Sequence, residues 1–250
     1  FEGRMVVAGT RMRRIKRAVA VETCGAALIF AILNDGKRSD FFKLDDGFRH
    51  ERMFWKEFPK YLTRSSLELR EIDAVATTRG PGRFTGVRMG IAIARAWAEV
   101  AHVNIFSTST QELMAWAHGR GAGHQEGALA CIVAFSGAIT CSVYGRLTDT
   151  GPASVRMPET AYATLEECLA AVRRHAGPGP ARLLCYAQSD LAARVDETAS
   201  RLGFGGVAHV IPRACDLLMM MSAAGKGWGY WHDAGHPPEP LYLKRTWDHK

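Results

Sequence analysis

The sequence predicts an α/β protein of two similar lobes, and three observations carry that prediction. Its 250 residues, 47% hydrophobic, 23% charged and 9% aromatic, have the composition of an ordinary folded chain, long enough for one large domain or two lobes of about 100–150 residues. The apolar pattern switches repeatedly between period two and period 3.6. The order that results is three strands, a helix, a strand and a helix, given twice in succession. A doubly wound dinucleotide fold would alternate strand and helix from the start. A meander followed by helical crossovers is the plan of ribonuclease-H-like domains, and its duplication is the plan of actin-like ATPases. The expected organisation is a basic arm without regular structure over 1–17, a first lobe over 18–105, a second lobe with linking helices over 106–225, and a tail over 226–250.

The elements follow in order. Residues 18–23, 27–33 and 37–44 read as strands, the last two joined by Asn34-Asp35-Gly36, a strong hairpin signal. His50, Phe54, Phe58 and Leu62 recur every four residues with Met53 and Tyr61 beside them, a helical spacing in which Pro59 predicts a kink. Residues 72–77 form a short buried strand, and a glycine-rich turn leads to a helix from about Val87 to Ala101. Ser109 with Glu112 caps a helix, ending near Gly119, that joins the halves. In the second half, 128–135 and 139–147 flank Ser136-Gly137 as a hairpin, and 153–157 supplies a third strand. Thr164 and Glu167 form a capping box for a helix to His175. A strand over 182–187, a helix over 191–202, a strand over 207–211 and a helix from Pro212 to Ala224 complete the pattern.

The 32 Lys and Arg residues exceed the 25 Asp and Glu residues, a net charge of +7 that first suggests nucleic acid. The excess sits at the ends. Residues 1–17 carry six basic side chains against Glu2, and residues 244–250 carry Lys244, Arg245 and Lys250 against Asp248. The body between is neutral, so the charge says little about the folded surface. The six cysteines (24, 131, 141, 168, 185 and 215) are scattered without a CxxC and read as reduced thiols, which places the protein in the cytoplasm. No window approaches the roughly 18 apolar residues of a membrane helix, and the opening apolar stretch is too short for a secretory signal.

Among chemical candidates the most distinctive is Thr78-Arg79-Gly80-Pro81-Gly82-Arg83-Phe84-Thr85-Gly86-Val87-Arg88-Met89-Gly90, between a strand and a helix. Amides at that helix start could hold an anion, but no Gly-Lys-Ser/Thr follows, and a tight turn with close helix–sheet contact is the preferred reading. Glu22-Thr23-Cys24-Gly25 sits where actin-like ATPases carry an acidic residue and a phosphate-binding hairpin; followed by Ala26-Ala27-Leu28, it offers few phosphate donors and reads as a structural turn. His232 and His236 have HxxxH spacing, yet the glycines and prolines around them prevent a helix from setting both rings on one face. No nucleophile elbow or catalytic triad stands out. No cofactor and no metal are therefore expected. The helix from Val87 is apolar nearly all round, so it needs covers on two sides. One cover is its own sheet; for the other a partner is preferred over a second helix of this chain.

Taken together, several segments resemble one family. Residues 79–90, with Gly80, Pro81, Gly82, Phe84, Thr85, Gly86, Arg88 and Gly90 in register, closely resemble the GPGSFTGxRxG signature of the TsaB (YeaZ) family. Glu22-Thr23-Cys24 is similar to that family's opening Asp-Thr-Ser, Ser107-Thr108-Ser109 with Glu112-Leu113 to its Val-Ser-Ser-Leu-Glu helix start, and Pro240-Leu241-Tyr242-Leu243-Lys244-Arg245 to its Pro-x-Tyr-Leu-Arg terminus. The likeness spans about residues 18–247. It implies an actin-like protein that is not itself the catalyst. Such proteins pair with the related TsaD subunit, and with the ATPase TsaE, to make N6-threonylcarbamoyladenosine at position 37 of tRNA; TsaD carries the metal. Contact with tRNA would then be indirect. Pairing through a helix bundle of the N-terminal lobes implies an interface of His50, Met53, Phe54, Met89, Ile93 and Trp97. If Trp97 and Ile91 face outward, Trp97→Glu or Ile91→Asp should weaken pairing. TsaD's metal pair is absent here, because His50 is followed four residues on by Phe54. Arg83 replaces the signature's serine, and Glu22 the usual aspartate. The second lobe's charged hairpin residues are gone, since the chain reads Ala134-Phe135-Ser136-Gly137-Ala138-Ile139 there. The alternatives are an actin-like ATPase or metallopeptidase-like enzyme, and a homodimer using the same helix pair.

Overall fold

The computed structural model describes residues 15–25, 27–44, 50–122, 127–135, 137–145, 147–148, 151–152, 154–177, 179, 181–223, 229–233, 235–241 and 243. Most of the basic arm and the last seven residues lie outside that set. The first sheet takes β1 (Arg17–Glu22), β2 (Ala27–Asn34), β3 (Lys37–Leu44), β4 (Ala74–Thr78) and β5 (Asn104–Thr108). The second takes β6 (Ala128–Phe135), β7 (Ala138–Tyr144), β10 (Val155–Tyr162), β11 (Ala181–Ala187) and β12 (Val207–His209), with β8 (Leu147–Thr148) and β9 (Gly151–Pro152) forming a small ribbon aside.

Both sheets follow one plan. The first runs β3-β2-β1-β4-β5 and the second β10-β7-β6-β11-β12. In each the three leading strands are antiparallel, and the later two lie parallel on the other side of the first strand. This is the ribonuclease-H-like arrangement made twice, the two-lobed actin-like fold expected from the sequence.

Period-two alternation places the strands between two helical layers. In β1, Val19 and Val21 face outward with Leu28, Phe30 and Ile32 of β2, while Ala18 and Ala20 face inward with Ala27, Ile29 and Ala31. The outer face is covered by α1 (His50–Arg64) and α2 (Phe84–Ala101). The inner face is covered by α6 (Ala214–Ser222), which packs beside α3 (Thr110–Ala122) and, across it, the second sheet. The far face of the second sheet carries α4 (Leu165–Ala176) and α5 (Ser189–Arg201). Thus α3 and α6 form one shared core between the lobes, with Leu113, Trp116, Leu217 and Met220 at its centre.

The α3 capping box forms in full, whereas Thr164 caps α4 without the reciprocal bond, Glu167 Oε2 accepting from Ala163 N instead. Ser109 Oγ accepts from Glu112 N at 3.0 Å while Glu112 Oε2 accepts from Ser109 N at 3.0 Å. Thr164 Oγ1 accepts from Glu167 N at 3.1 Å. Helix α1 runs through Pro59 from His50 to Arg64, with Thr63 Oγ1 donating to the Pro59 carbonyl at 3.1 Å.

Three findings differ from the sequence reading. First, the sequence pattern assigns no strand over 104–108, because Asn104, Ser107 and Thr108 dilute its apolar signal; the parallel place of β5 beside β4 buries four of its five residues. Second, the segment set apart as a tail supplies a further strand, β13 (Tyr230–His232), which extends the first sheet by pairing antiparallel with β5. Third, the second cover of α2 is α1 of the same chain. Trp97 stacks on Phe58 with ring centroids 4.2 Å apart and meets Phe54 at 5.4 Å. Phe54, Ile93 and Trp97 are 0, 5 and 3% exposed, so these three residues are core of the lobe, and Ile91 is buried as well. Aromatic stacking between the two helices consumes the surface that the sequence reading left for a partner. Replacing Trp97 with alanine is therefore expected to cost about 3–5 kcal/mol of stability by denaturant titration, and Trp97→Glu should unfold the lobe.

Candidate functional site

The glycine-rich segment links β4 to α2 and packs on the turn between β1 and β2. Thr23 Oγ1 donates to the Gly86 carbonyl at 2.6 Å, and Arg83 N donates to the Cys24 carbonyl at 2.6 Å. A Cβ on Gly82 would lie 2.3 Å from the Cys24 carbonyl oxygen, one on Gly86 1.9 Å from that of Thr23, and one on Gly90 2.7 Å from Thr23 Oγ1. Gly82 and Gly86 thus serve a backbone-on-backbone contact, and Gly90 makes room for the Thr23 and Thr77 hydroxyls. Gly80 holds φ at +97° and its carbonyl accepts from Thr110 N at 2.8 Å, which ties the loop to the start of α3. Pro81 is buried, whereas Phe84, Thr85 and Arg88 are exposed, the Arg88 guanidinium lying 3.9 Å over the Phe84 ring. The C-terminal segment docks here too, with Leu241 N donating to the Arg79 carbonyl at 2.7 Å.

Glu22 ends β1 directly beneath this contact and is fully buried. Its Oε1 accepts from Cys24 N at 2.7 Å and from Thr78 Oγ1 at 3.2 Å, and Cys24 Sγ lies 3.0 Å from Thr78 Oγ1. Burial outweighs these bonds and pushes the Glu22 pKa up to about 7. Burial, then the Glu22 charge, pushes the Cys24 thiol far above its ordinary range, so it is no nucleophile. Glu22 Oε2, Thr110 Oγ1 and Tyr186 Oη are buried here without hydrogen-bond partners. Tyr186 comes from β11 of the other lobe, and its hydroxyl would stand 1.6 Å from a Cβ on Gly25. The phenol therefore occupies the ground under the β1–β2 turn.

The histidine pair is not assembled. His232 Nε2 meets Ser107 Oγ at 2.7 Å, while His236 Nδ1 meets Asp233 Oδ1 at 3.0 Å, so the two rings are held by different partners. Among the described residues no group of three or more His, Cys, Asp or Glu side chains could hold a metal ion, and no helix is long and apolar enough to cross a membrane. Of the residues expected at an interface, Met53 and Met89 are half-buried at the edge of the α1–α2 core; His50 opens α1, its side chain outside the described set. Exposed apolar groups nearby include Trp55 (56%), which lies off the repeating apolar stripe of α1, and Val100 (50%), which continues the stripe of Met89, Ile93 and Trp97 on α2 but stays uncovered. Tyr186 was missed, since nothing in a strand sequence announces which turn of another lobe its ring will reach.

A duplicated actin-like fold with its first turn closed by its own backbone and by a tyrosine of the other lobe defines the class. Residues 49–204 match the family model described as "TsaD: tRNA N6-adenosine threonylcarbamoyltransferase". The tRNA threonylcarbamoyladenosine biosynthesis protein TsaB of Escherichia coli K12 is 36% identical over 133 residues, covering 52% of this chain and 55% of that one. Its counterpart in Haemophilus influenzae is 33% identical over 99 residues, 40% of this chain and 42% of that one. The chain thus spans about half the length of the curated relatives it matches. YeaZ from Pseudomonas aeruginosa superposes with a TM-score of 0.68 at 21% identity, covering 92% of this chain and all of that one, a likeness of fold. The chain belongs to the TsaD-type threonylcarbamoyltransferase family and, within it, to the TsaB (YeaZ) group.

Two outcomes follow for the site. The native state binds a proton on Glu22 more tightly than the unfolded chain does (about 7 against 4.5), so this contribution is fully present below pH 4.5 and is lost as pH rises through 7. Glu22→Gln should abolish that dependence and leave the protein more stable than wild type at pH 8, by up to about 3 kcal/mol, read by denaturant titration across pH. At the start of α2, Arg83 is an N-cap that makes no side-chain cap bond. Arg83→Ser should add about 1 kcal/mol by capping the Gly86 amide, raising the melting temperature by roughly 2–4 °C.

Proposed function

We propose that this chain is a noncatalytic subunit in the formation of N6-threonylcarbamoyladenosine in tRNA, acting in the cytoplasm by pairing with a TsaD-like catalytic subunit. A TsaE-like ATPase completes the machinery, and tRNA is engaged through the partner. The TsaB names of its relatives support the pathway. The observation that carries the noncatalytic reading is the filled turn. Tyr186 stands where a phosphate would have to approach Gly25, and the Arg83 amide of the glycine segment is spent on the Cys24 carbonyl. An ATPase of this fold needs that ground open.

The proposed pairing surface is the α1–α2 face. Phe54, Ile93 and Trp97 stiffen it from within, Met53 and Met89 edge it, and the exposed Trp55, Ala92, Ala96 and Val100 supply contact area. Small residues at 92 and 96 leave room for close helix approach, while Arg95 and Glu99 pair with each other at 3.5 Å and need no partner charge. Mixing the chain with its cognate TsaD-like subunit should give a complex that elutes ahead of either component on size exclusion and supports modification of tRNA. Trp55→Glu should weaken that complex about tenfold or more without lowering the melting temperature, because a charge would be desolvated in an apolar contact. Separate elution of the wild-type components would overturn the proposal. A light-scattering mass of twice the chain for the isolated protein would show that the same face also self-associates.

A further inference from the structure

A groove opens where α3 passes the loop between β12 and α6. Met114, Ala117 and His118 of α3 line it together with Val210, Ile211 and Pro212 of the loop. The three α3 residues stand at i, i+3 and i+4, which sets them on one face of the helix. The loop is held in place by Val210 N, which donates to the Cys185 carbonyl of β11 at 2.9 Å, and by Pro212, which is buried. Met114 belongs to the core shared by the lobes, and Ala117 and Val210 pack against that core. The groove therefore lies on the other side of the first sheet from the α1–α2 pairing surface.

Size and lining limit what can enter. The cavity measures about 260 Å³, under the roughly 300–1,000 Å³ that holds a drug-sized ligand. Five of its six lining side chains are apolar, so the body of an occupant is apolar as well. Ile211 is 41% exposed, and a hydrocarbon laid over it would remove that surface from water.

The sixth lining residue supplies a sign. Arg182 Nη1 of β11 lies 3.3 Å from His118 Nε2. A guanidinium only donates, so the ring nitrogen accepts and the imidazole is neutral. Arg182 is exposed and makes no ion pair among the described residues, which leaves its full charge beside the groove. Helix α6 starts just beyond Pro212, and its N-cap Arg213 makes no side-chain cap bond, so the positive end of that helix adds charge of the same sign. Asp216, four residues on from Pro212, is already opposed by Arg120 and Arg213.

We propose that this groove binds a small monocarboxylic acid with an apolar body. The body lies on Met114, Ala117, Val210 and Ile211, and the carboxylate meets Arg182 beside His118. An amine of the same length would face the guanidinium with like charge, and an alcohol would leave that charge unanswered. Inorganic phosphate or acetate brings the charge without the body.

The test is titration of the full chain with sodium hexanoate, beside hexylamine, 1-hexanol and sodium acetate at matched ionic strength, followed in amide proton–nitrogen correlation spectra. Hexanoate is expected to bind saturably at about millimolar concentration, with the largest shifts at Ala117, His118, Val210 and Ile211. Hexanol should bind about threefold or more weakly, and hexylamine and acetate should not saturate. Arg182→Gln should remove the preference for hexanoate over hexanol, whereas Ile211→Ser should weaken both. Both side chains are exposed, so the melting temperatures of these variants should stay close to wild type. No saturable shift at the groove, hexanol or hexylamine binding as tightly as hexanoate, or an undiminished preference in Arg182→Gln would each overturn the proposal.

Discussion

The structure depends on one close approach, that of the first turn of α2 to the turn between β1 and β2. Gly82 and Gly86 bring two backbones together at distances no side chain tolerates, and Thr23 Oγ1 and Arg83 N turn that proximity into hydrogen bonds. The contact fixes Cys24, whose amide holds Glu22, and it fixes Gly80, whose carbonyl anchors the amide that opens α3. Through Arg79 it also receives the C-terminal segment at Leu241. Four stretches distant in sequence meet at one point because three glycines let them. In many folds a loop of this kind cradles a ligand; here the Arg83 amide is spent on the Cys24 carbonyl, and no side chain caps the amides that open α2.

The same economy governs the junction of the lobes. Alanines on the inner faces of β1 and β2 let α6 lie close to the first sheet, and α3 carries Trp116 and Leu113 into the same layer from the other side. Cys131, Val133 and Phe135 of β6 and Tyr186 of β11 close it from the second sheet. Opening the lobes would strip water-excluded apolar surface from that layer, a cost that grows with every ring and aliphatic group exposed. The helix pair on the opposite face is stiff for a related reason: Phe54, Phe58 and Trp97 stack across α1 and α2, so the outer surface rests on aromatic rings.

How much of this was legible in the sequence follows from which forces are local. Strands whose alternation is undiluted, such as residues 27–34 and 128–135, and helices with Ser or Thr caps three residues before Glu, were readable because period and cap are local signals. The duplication was readable from their order. The short strand at 104–108 and the one at 230–232 were not, since their pairing partners rather than their composition make them strands. The glycine contact was legible as a tight turn, but its target at Thr23 and Cys24 was not. The facing of α2 was legible only in part: two apolar stripes announce two covers without saying that Phe58, 39 residues earlier in the same chain, supplies the second. Tyr186 and Glu159 act at a distance in sequence that no local pattern encodes.

The two acidic places near the junction of the lobes differ in how their oxygens are held. Glu22 stands at the end of β1 with its carboxylate buried, one oxygen bonded by its own chain and the other without a partner. Burial raises its pKa to about 7, where a carboxylate is half its time neutral. The tyrosine from the other lobe stands over the same turn, at Gly25. Glu112 and Glu159 are held differently: Ser109 bonds both carboxylates, and they lie on the linking helix and the second sheet rather than at the β1–β2 turn. The first acidic place is therefore closed by its own backbone and by Tyr186, and the second is tied together by a single serine at the start of α3.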